Sequence, residues 1–126
     1  MPFYAGRTMN TPAEVPDGVV AVVRKLLPDN DLGAALAKQL PYARVASGCR
    51  CGCATVDLVV DRSAVGPAPQ EPGNPVVGEG SIRGVDGQTV GGVILFAGGG
   101  YLSCLEVYSF GDEPIAELPD PAVVDP

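Results

Sequence analysis

Residues 76–109 read VVGEGSIRGVDGQTVGGVILFAGGGYLSCLEVYS, and this stretch decides the fold. Asp86-Gly87 stands between two apolar runs and predicts a tight β-hairpin, because both residues tolerate a positive φ. The glycines at 98–100 predict a second tight turn, after which the chain returns as another strand. Leu105 and Val107 alternate with polar residues in that strand, so its two faces differ in burial. The stretch therefore predicts an antiparallel meander.

A further strand is predicted ahead of the meander. TVDLVVD, residues 55–61, alternates apolar side chains with polar Thr55 and Asp57, which indicates one buried and one wet face. The strand-like segment YARVA, residues 42–46, comes before it across a turn that carries cysteines. Residues 64–75 contain four prolines and therefore predict a loop.

Two helices are predicted on the N-terminal side of the strands. Apolar residues recur at helical spacing after Asp17 and predict a helix of about ten residues. A capping-box pattern that begins at Thr11 allows an earlier start. The second helix covers LGAALAKQL, residues 32–40, and its predicted N-cap is Asp29 or Asp31.

The fold class that follows is α+β. Two N-terminal helices are expected to pack on one face of a four- to five-stranded antiparallel β-meander. A chain of 126 residues fits a single domain. We assign residues 1–12 to a flexible N-terminal arm, residues 13–118 to the domain and residues 119–126 to a C-terminal tail.

The composition narrows the classes of function. The chain has 15 acidic and 8 basic residues, and the basic ones are scattered, which argues against nucleic acid binding. It has no histidine, the residue used most often in general base catalysis, so Ser-His-Asp and Cys-His sites are excluded within it. It also has no apolar run of about 18 residues and no signal-peptide pattern, which predicts a soluble, cytoplasmic protein without a membrane partner.

Three cysteines stand at alternate positions in Cys49-Arg-Cys51-Gly-Cys53, and Cys104 lies on a predicted strand. Three interpretations stay open. The four thiolates could supply a structural zinc site, although alternate positions on an extended chain hold sulfurs further apart than a tetrahedral zinc ion needs. A pair such as Cys51 and Cys53 could instead cycle between thiol and disulfide. In the third interpretation, the cysteines are small residues that fill a tight turn and a buried strand position.

Acidic and aromatic residues share one face of the last predicted strand. Glu106 and Tyr108 are expected to face away from the core, near Asp112 and Glu113 beyond the strand end. Exposed tyrosine with carboxylates is typical of a surface that binds a basic protein partner. The negative charge could instead serve solubility alone, and Tyr108 could pack against the proline-rich tail.

Two blocks of the sequence resemble a family of small uncharacterised proteins from high-GC Gram-positive bacteria. The blocks are GCRCGCATVDL at residues 48–58 and GGYLSCLEVYSFGDEPIAELPDP at residues 99–121. The resemblance covers most of residues 19–121 and implies no activity, cofactor or catalytic residue. The LEVYS...DEP...LP ending is also similar to the last strand and tail of several small immunity-type and accessory proteins.

The sequence favours a non-enzymatic binding or regulatory module of the immunity type, which binds a protein partner through its acidic sheet face and tail. A small structural zinc-binding protein that uses the cysteine cluster is the second hypothesis. A thiol redox protein is the third. The edge strands of a small sheet can also pair two copies into a dimer.

Overall fold

The computed structural model describes residues 13–48 and 52–126 of the chain. These residues form helices α1 (Asp17–Leu26) and α2 (Asp31–Ala37) and 3₁₀ helices at Leu40–Tyr42 and Pro121–Val123. The strands are β1 (Ala13–Glu14), β2 (Ala43–Gly48), β3 (Val56–Val60), β4 (Val76–Arg83), β5 (Thr89–Gly98), β6 (Tyr101–Ser109) and β7 (Val124–Asp125). The α+β class is confirmed. The predicted arm, residues 1–12, lies outside the described residues.

The seven strands of the described residues form one antiparallel sheet in the order β1-β2-β3-β6-β5-β4-β7. The prediction of four to five strands is wrong, because β1 and β7 each add a two-residue strand to an edge. A strand of two residues is too short to show an alternating pattern in the sequence. It joins the sheet through hydrogen bonds of its backbone. The predicted meander is confirmed for β4, β5 and β6, and the β2–β3 hairpin joins the sheet beside β6.

The turns of the meander have the predicted glycine conformations. Gly87 has a φ of +84° in the β4–β5 hairpin, where the Gly84 N–H donates to the carbonyl of Gln88 at 2.8 Å. Gly99 and Gly100 both have positive φ in the turn between β5 and β6. Both turns therefore form where the sequence places them.

A β-bulge decides which side chains of β6 reach the core. The β5–β6 register shifts between Phe96 and Ala97, which leaves Ser103 as the extra residue of β6. The shift lets Leu102 and Leu105, three positions apart, both lie in the core. Beyond the bulge, β6 alternates regularly between a core face and the opposite face of the sheet.

Helix α1 begins at Asp17, one of the two starts that the sequence allows, and its apolar stripe is buried. It packs against β4 and also against the 3₁₀ helix Pro121–Val123, so the predicted packing on the meander alone is incomplete. Gly78 of β4 permits the close approach, because a methyl group there would overlap the carbonyl oxygen of Leu26. The helix therefore lies over the β4 side of the sheet.

Helix α2 begins at Asp31, and its N-cap is Asn30, whose side-chain oxygen accepts the Gly33 N–H at 3.0 Å. The prediction of Asp29 or Asp31 as the cap is wrong, since the residue between them performs that role. Leu36 is fully buried and is the main contribution of α2 to the core. In the described part of the chain, no helix has both the length and the apolar character needed to cross a membrane.

The segment predicted as a C-terminal tail closes the β4 edge of the sheet. Val124 of β7 is fully buried. Arg83 of β4 forms an ion pair with Asp125 at 2.8 Å, and the Lys25 ammonium of α1 donates to the Pro121 carbonyl at 2.6 Å. The last residues are thus joined to both layers of the fold.

Candidate binding groove

A groove of about 550 Å³ opens at one end of the sheet. Its walls come from the end of β6, from the turn residues Cys53 and Thr55 before β3, and from the segment that follows β6. The residues predicted to bind a partner all line this groove: Glu106, Tyr108, Asp112 and Glu113. We call this cavity the acidic groove.

Strand β6 places two of these four side chains. Leu105 and Val107 are buried in the core, as the alternation of the sequence predicts. Glu106 and Tyr108 therefore lie on the opposite face of the sheet, and both are half-buried. The strand holds the carboxylate and the aromatic ring on one side of the groove.

Hydrogen bonds join the walls of the acidic groove. Thr55 Oγ1 accepts the Val107 N–H at 2.8 Å, and the same hydroxyl donates to the Val107 carbonyl at 3.2 Å. The Ala54 N–H donates to the Ile115 carbonyl at 2.8 Å. The turn before β3 is thereby fixed to both β6 and the segment after it.

The Tyr108 ring is held against the sheet. Tyr108 is the cross-strand partner of Gly92 in β5. A methyl group on Gly92 would overlap atoms of the tyrosine ring. Its centroid lies 5.9 Å from the centroid of the Phe110 ring, with an angle of 47° between the planes. The ring therefore has a fixed place in the groove wall, set by a contact with β5 that the sequence pattern does not reveal.

The acidic groove is rich in negative charge. Glu106, Asp112 and Glu113 contribute three carboxylates, and among the described residues that line the groove there is no lysine or arginine. The ion pair formed within residues 13–48 and 52–126 joins Arg83 to Asp125, at the β4 edge. The groove carboxylates therefore attract a cationic group, and the described lining residues include no cation that would compete for them.

Two of the four predicted zinc ligands, Cys53 and Cys104, are among the described residues. Cys104 of β6 pairs with Asp57 of β3. Burial first, and then the charge and hydrogen bond of Asp57, raise the pKa of the Cys104 thiol to about 11, with smaller contributions from Glu106 and Cys53. Cys104 is therefore a neutral thiol at neutral pH.

The other two predicted ligands, Cys49 and Cys51, lie outside the described residues. Within the part of the chain that the structure describes, no three metal-ligating side chains come together. The zinc site thus depends on Cys49 and Cys51 and stays a prediction. The redox pair of Cys51 and Cys53 stays a prediction for the same reason.

Three residues that shape this region were not predicted as parts of a site. Thr55 braces the groove, Asp57 pairs with Cys104, and Gly92 makes room for the tyrosine ring. The sequence identifies the first two as wet positions of a strand. Their nearness to β6 follows from the strand order, which local patterns do not encode.

Comparisons of this chain with protein-family models, with curated proteins and with solved structures find no match. The resemblance to small proteins of high-GC Gram-positive bacteria stays a prediction. The function is therefore argued from the geometry and the charge of the acidic groove.

Proposed function

We propose that the protein is a non-enzymatic binding module that holds a basic segment of a protein partner in the acidic groove. The observation that carries the proposal is the convergence of Glu106, Tyr108, Asp112 and Glu113 on one cavity. Such a module suits a regulatory or immunity-type role in the cytoplasm, in which the protein acts by occupying a surface of its partner.

The charge of the chain supports a basic partner. The net charge is −7, so a positively charged protein is attracted at long range before the two surfaces meet. At short range, Tyr108 and Pro114 give the groove apolar surface and three carboxylates surround it. An aromatic residue beside charged groups is the composition that protein interfaces favour.

The chemistry beside the groove supports binding rather than catalysis. The Cys104 thiol is protonated at neutral pH, and a protonated thiol is a poor nucleophile. The chain has no histidine that could deprotonate it. Holding a cationic group is therefore the task that these residues perform best.

The first prediction concerns the three groove carboxylates. The variant Glu106→Gln/Asp112→Asn/Glu113→Gln should bind the peptide acetyl-Arg-Gly-Lys-Gly-Arg-Gly-Lys-amide at least about tenfold more weakly than the natural sequence does, because it removes three attractive charges. Isothermal titration calorimetry at low ionic strength measures the affinity. Added salt should weaken binding to the natural sequence and have less effect on the variant.

A matched control separates the groove from the overall charge. The variant Asp29→Asn/Asp31→Asn/Glu71→Gln removes the same number of charges near a second cavity of about 460 Å³, which Asp31 and Glu71 line. Its affinity should stay within about twofold of the natural protein. Equal losses in the two variants would show that net charge alone attracts the peptide, and the proposed site would be wrong.

Structural zinc binding is a second candidate function. The observation that favours it is that the charge of Cys53 reaches Cys104 and contributes, as the smallest cause, to the raised pKa of the Cys104 thiol. Cys49 and Cys51 stand close to Cys53 in the sequence and would complete a set of four thiolates.

The zinc candidate predicts about one zinc ion per chain, with thiols that react only after chelation. Elemental analysis and thiol titration test this on protein purified under reducing conditions without a metal-affinity tag. The variant Cys104→Ser should lose most of the metal. Metal-free protein with four reactive thiols would exclude the zinc site and leave the binding module unaffected.

A further inference from the structure

We infer that the cationic group held in the acidic groove is an arginine side chain in preference to lysine, an inference that rests on the proposed function. The guanidinium stacks on the Tyr108 ring. It pairs with Glu106 on one side and with the carboxylates of Asp112 and Glu113 on the other.

Tyr108 provides the platform for stacking. Gly92 below the ring and Phe110 beside it keep the ring in place. A ring that is already held loses little rotamer freedom when a ligand binds to it. A guanidinium is flat and weakly hydrated, so it stacks on an aromatic ring better than an ammonium group does.

The carboxylates that line the groove come from two different elements of the fold. Glu106 belongs to the same face of β6 as Tyr108, whereas Asp112 and Glu113 belong to the segment after the strand. Arginine presents five N–H donors in one plane and can bond to carboxylates on both walls at once. Lysine presents a single compact charge that keeps its water more strongly.

The chain already contains one stack of this kind. The Cζ atom of Arg62 lies 4.5 Å from the centroid of the Tyr101 ring. That tyrosine is anchored by its hydroxyl, which donates to the Val65 carbonyl at 3.3 Å. Tyr108 is held by packing against Gly92 and Phe110, and no arginine lies among the described residues that line its groove.

The size of the groove is sufficient for a short peptide segment. Its volume of about 550 Å³ lies within the range of about 300–1,000 Å³ of pockets that hold whole small molecules. An arginine in the groove therefore leaves space for the residues next to it in the partner. The partner is a protein that exposes an arginine in an accessible segment.

Two short peptides test the inference on the full chain. Acetyl-Gly-Gly-Arg-Gly-Gly-amide and its lysine counterpart are titrated into ¹⁵N-labelled protein, and backbone amide shifts report binding. The arginine peptide should bind about three- to tenfold more tightly. Tyr108→Leu should remove this preference, and Tyr108→Phe should keep it because the ring remains. Tyr42→Leu, at a tyrosine that is 43% exposed outside the groove, is the control and should change neither affinity.

The outcomes separate the inference from the function on which it rests. Equal affinities for the two peptides, with shifts at the groove, overturn the arginine preference and leave the binding module standing. The absence of shifts with both peptides, in protein that remains folded, overturns the module as well. Groove shifts that depend on protein concentration alone identify a second copy of this chain as the occupant and overturn the inference.

Discussion

Gln39→Leu is expected to lower the free energy of unfolding by about 2 to 4 kcal/mol. Gln39 is fully buried, and its amide nitrogen donates to the Gly100 carbonyl at 2.7 Å. Its amide oxygen accepts the Leu102 N–H at 3.0 Å. Leucine fills a similar volume but leaves the Leu102 N–H buried without its partner. It also removes one of the two donors to the Gly100 carbonyl, which still accepts the Ala68 N–H at 2.8 Å. The turn that starts β6 would then lose its connection to the end of α2.

Urea denaturation measures this loss. Gln88→Leu is the control, because Gln88 is an exposed residue in the β4–β5 hairpin. The control should change the free energy of unfolding by less than about 0.5 kcal/mol. A comparably small effect of Gln39→Leu would show that these buried hydrogen bonds contribute little to the fold.

Gly78→Ala is expected to lower the free energy of unfolding by about 2 to 4 kcal/mol. The cause is steric overlap of the added methyl group rather than the loss of a hydrogen bond. The added methyl group would overlap the backbone carbonyl of Leu26. A backbone atom at the end of a packed helix cannot rotate away, so α1 has to shift off β4. The Leu26 side chain and the fully buried Val124 both lie beside Gly80, two residues further along β4, so Val124 would lose packing as well.

The same substitution at Gly98 is the matched control. Gly98 ends β5, and a methyl group there has open space around it. Thermal unfolding should show a large drop in the midpoint temperature for Gly78→Ala and little change for Gly98→Ala. Equal midpoints for the two variants would contradict the close packing of α1 on β4.

The sequence predicts those elements of the fold whose signal lies in a few neighbouring residues. The Asp86-Gly87 hairpin and the glycine turn before β6 form because those residues accept a positive φ. The start of α1 at Asp17 is one of the two starts that the sequence allows, and it is the one from which the apolar period runs. The edge strands β1 and β7 were missed, because two residues show no period and gain their order from a neighbouring strand.

The candidate site was predicted to a similar extent. Alternation along β6 predicts Glu106 and Tyr108 on one face with Asp112 and Glu113 beyond the strand end, and all four line one cavity in the structure. The support of the tyrosine ring by Gly92 depends on strand register, which no local pattern reveals. Gln39 was missed too, since a glutamine near a helix end is usually exposed.

Chemical shift mapping tests the central claim most directly. The ¹⁵N-labelled chain is titrated with acetyl-Arg-Gly-Lys-Gly-Arg-Gly-Lys-amide to millimolar concentration, and every assigned backbone amide is followed. If the peptide binds in the acidic groove, the shifts should saturate and should be concentrated at residues 53–55 and 106–114. The amides of the β4–β5 hairpin should not shift. Shifts spread over all acidic surfaces, or centred on the second cavity beside α2, would contradict this claim.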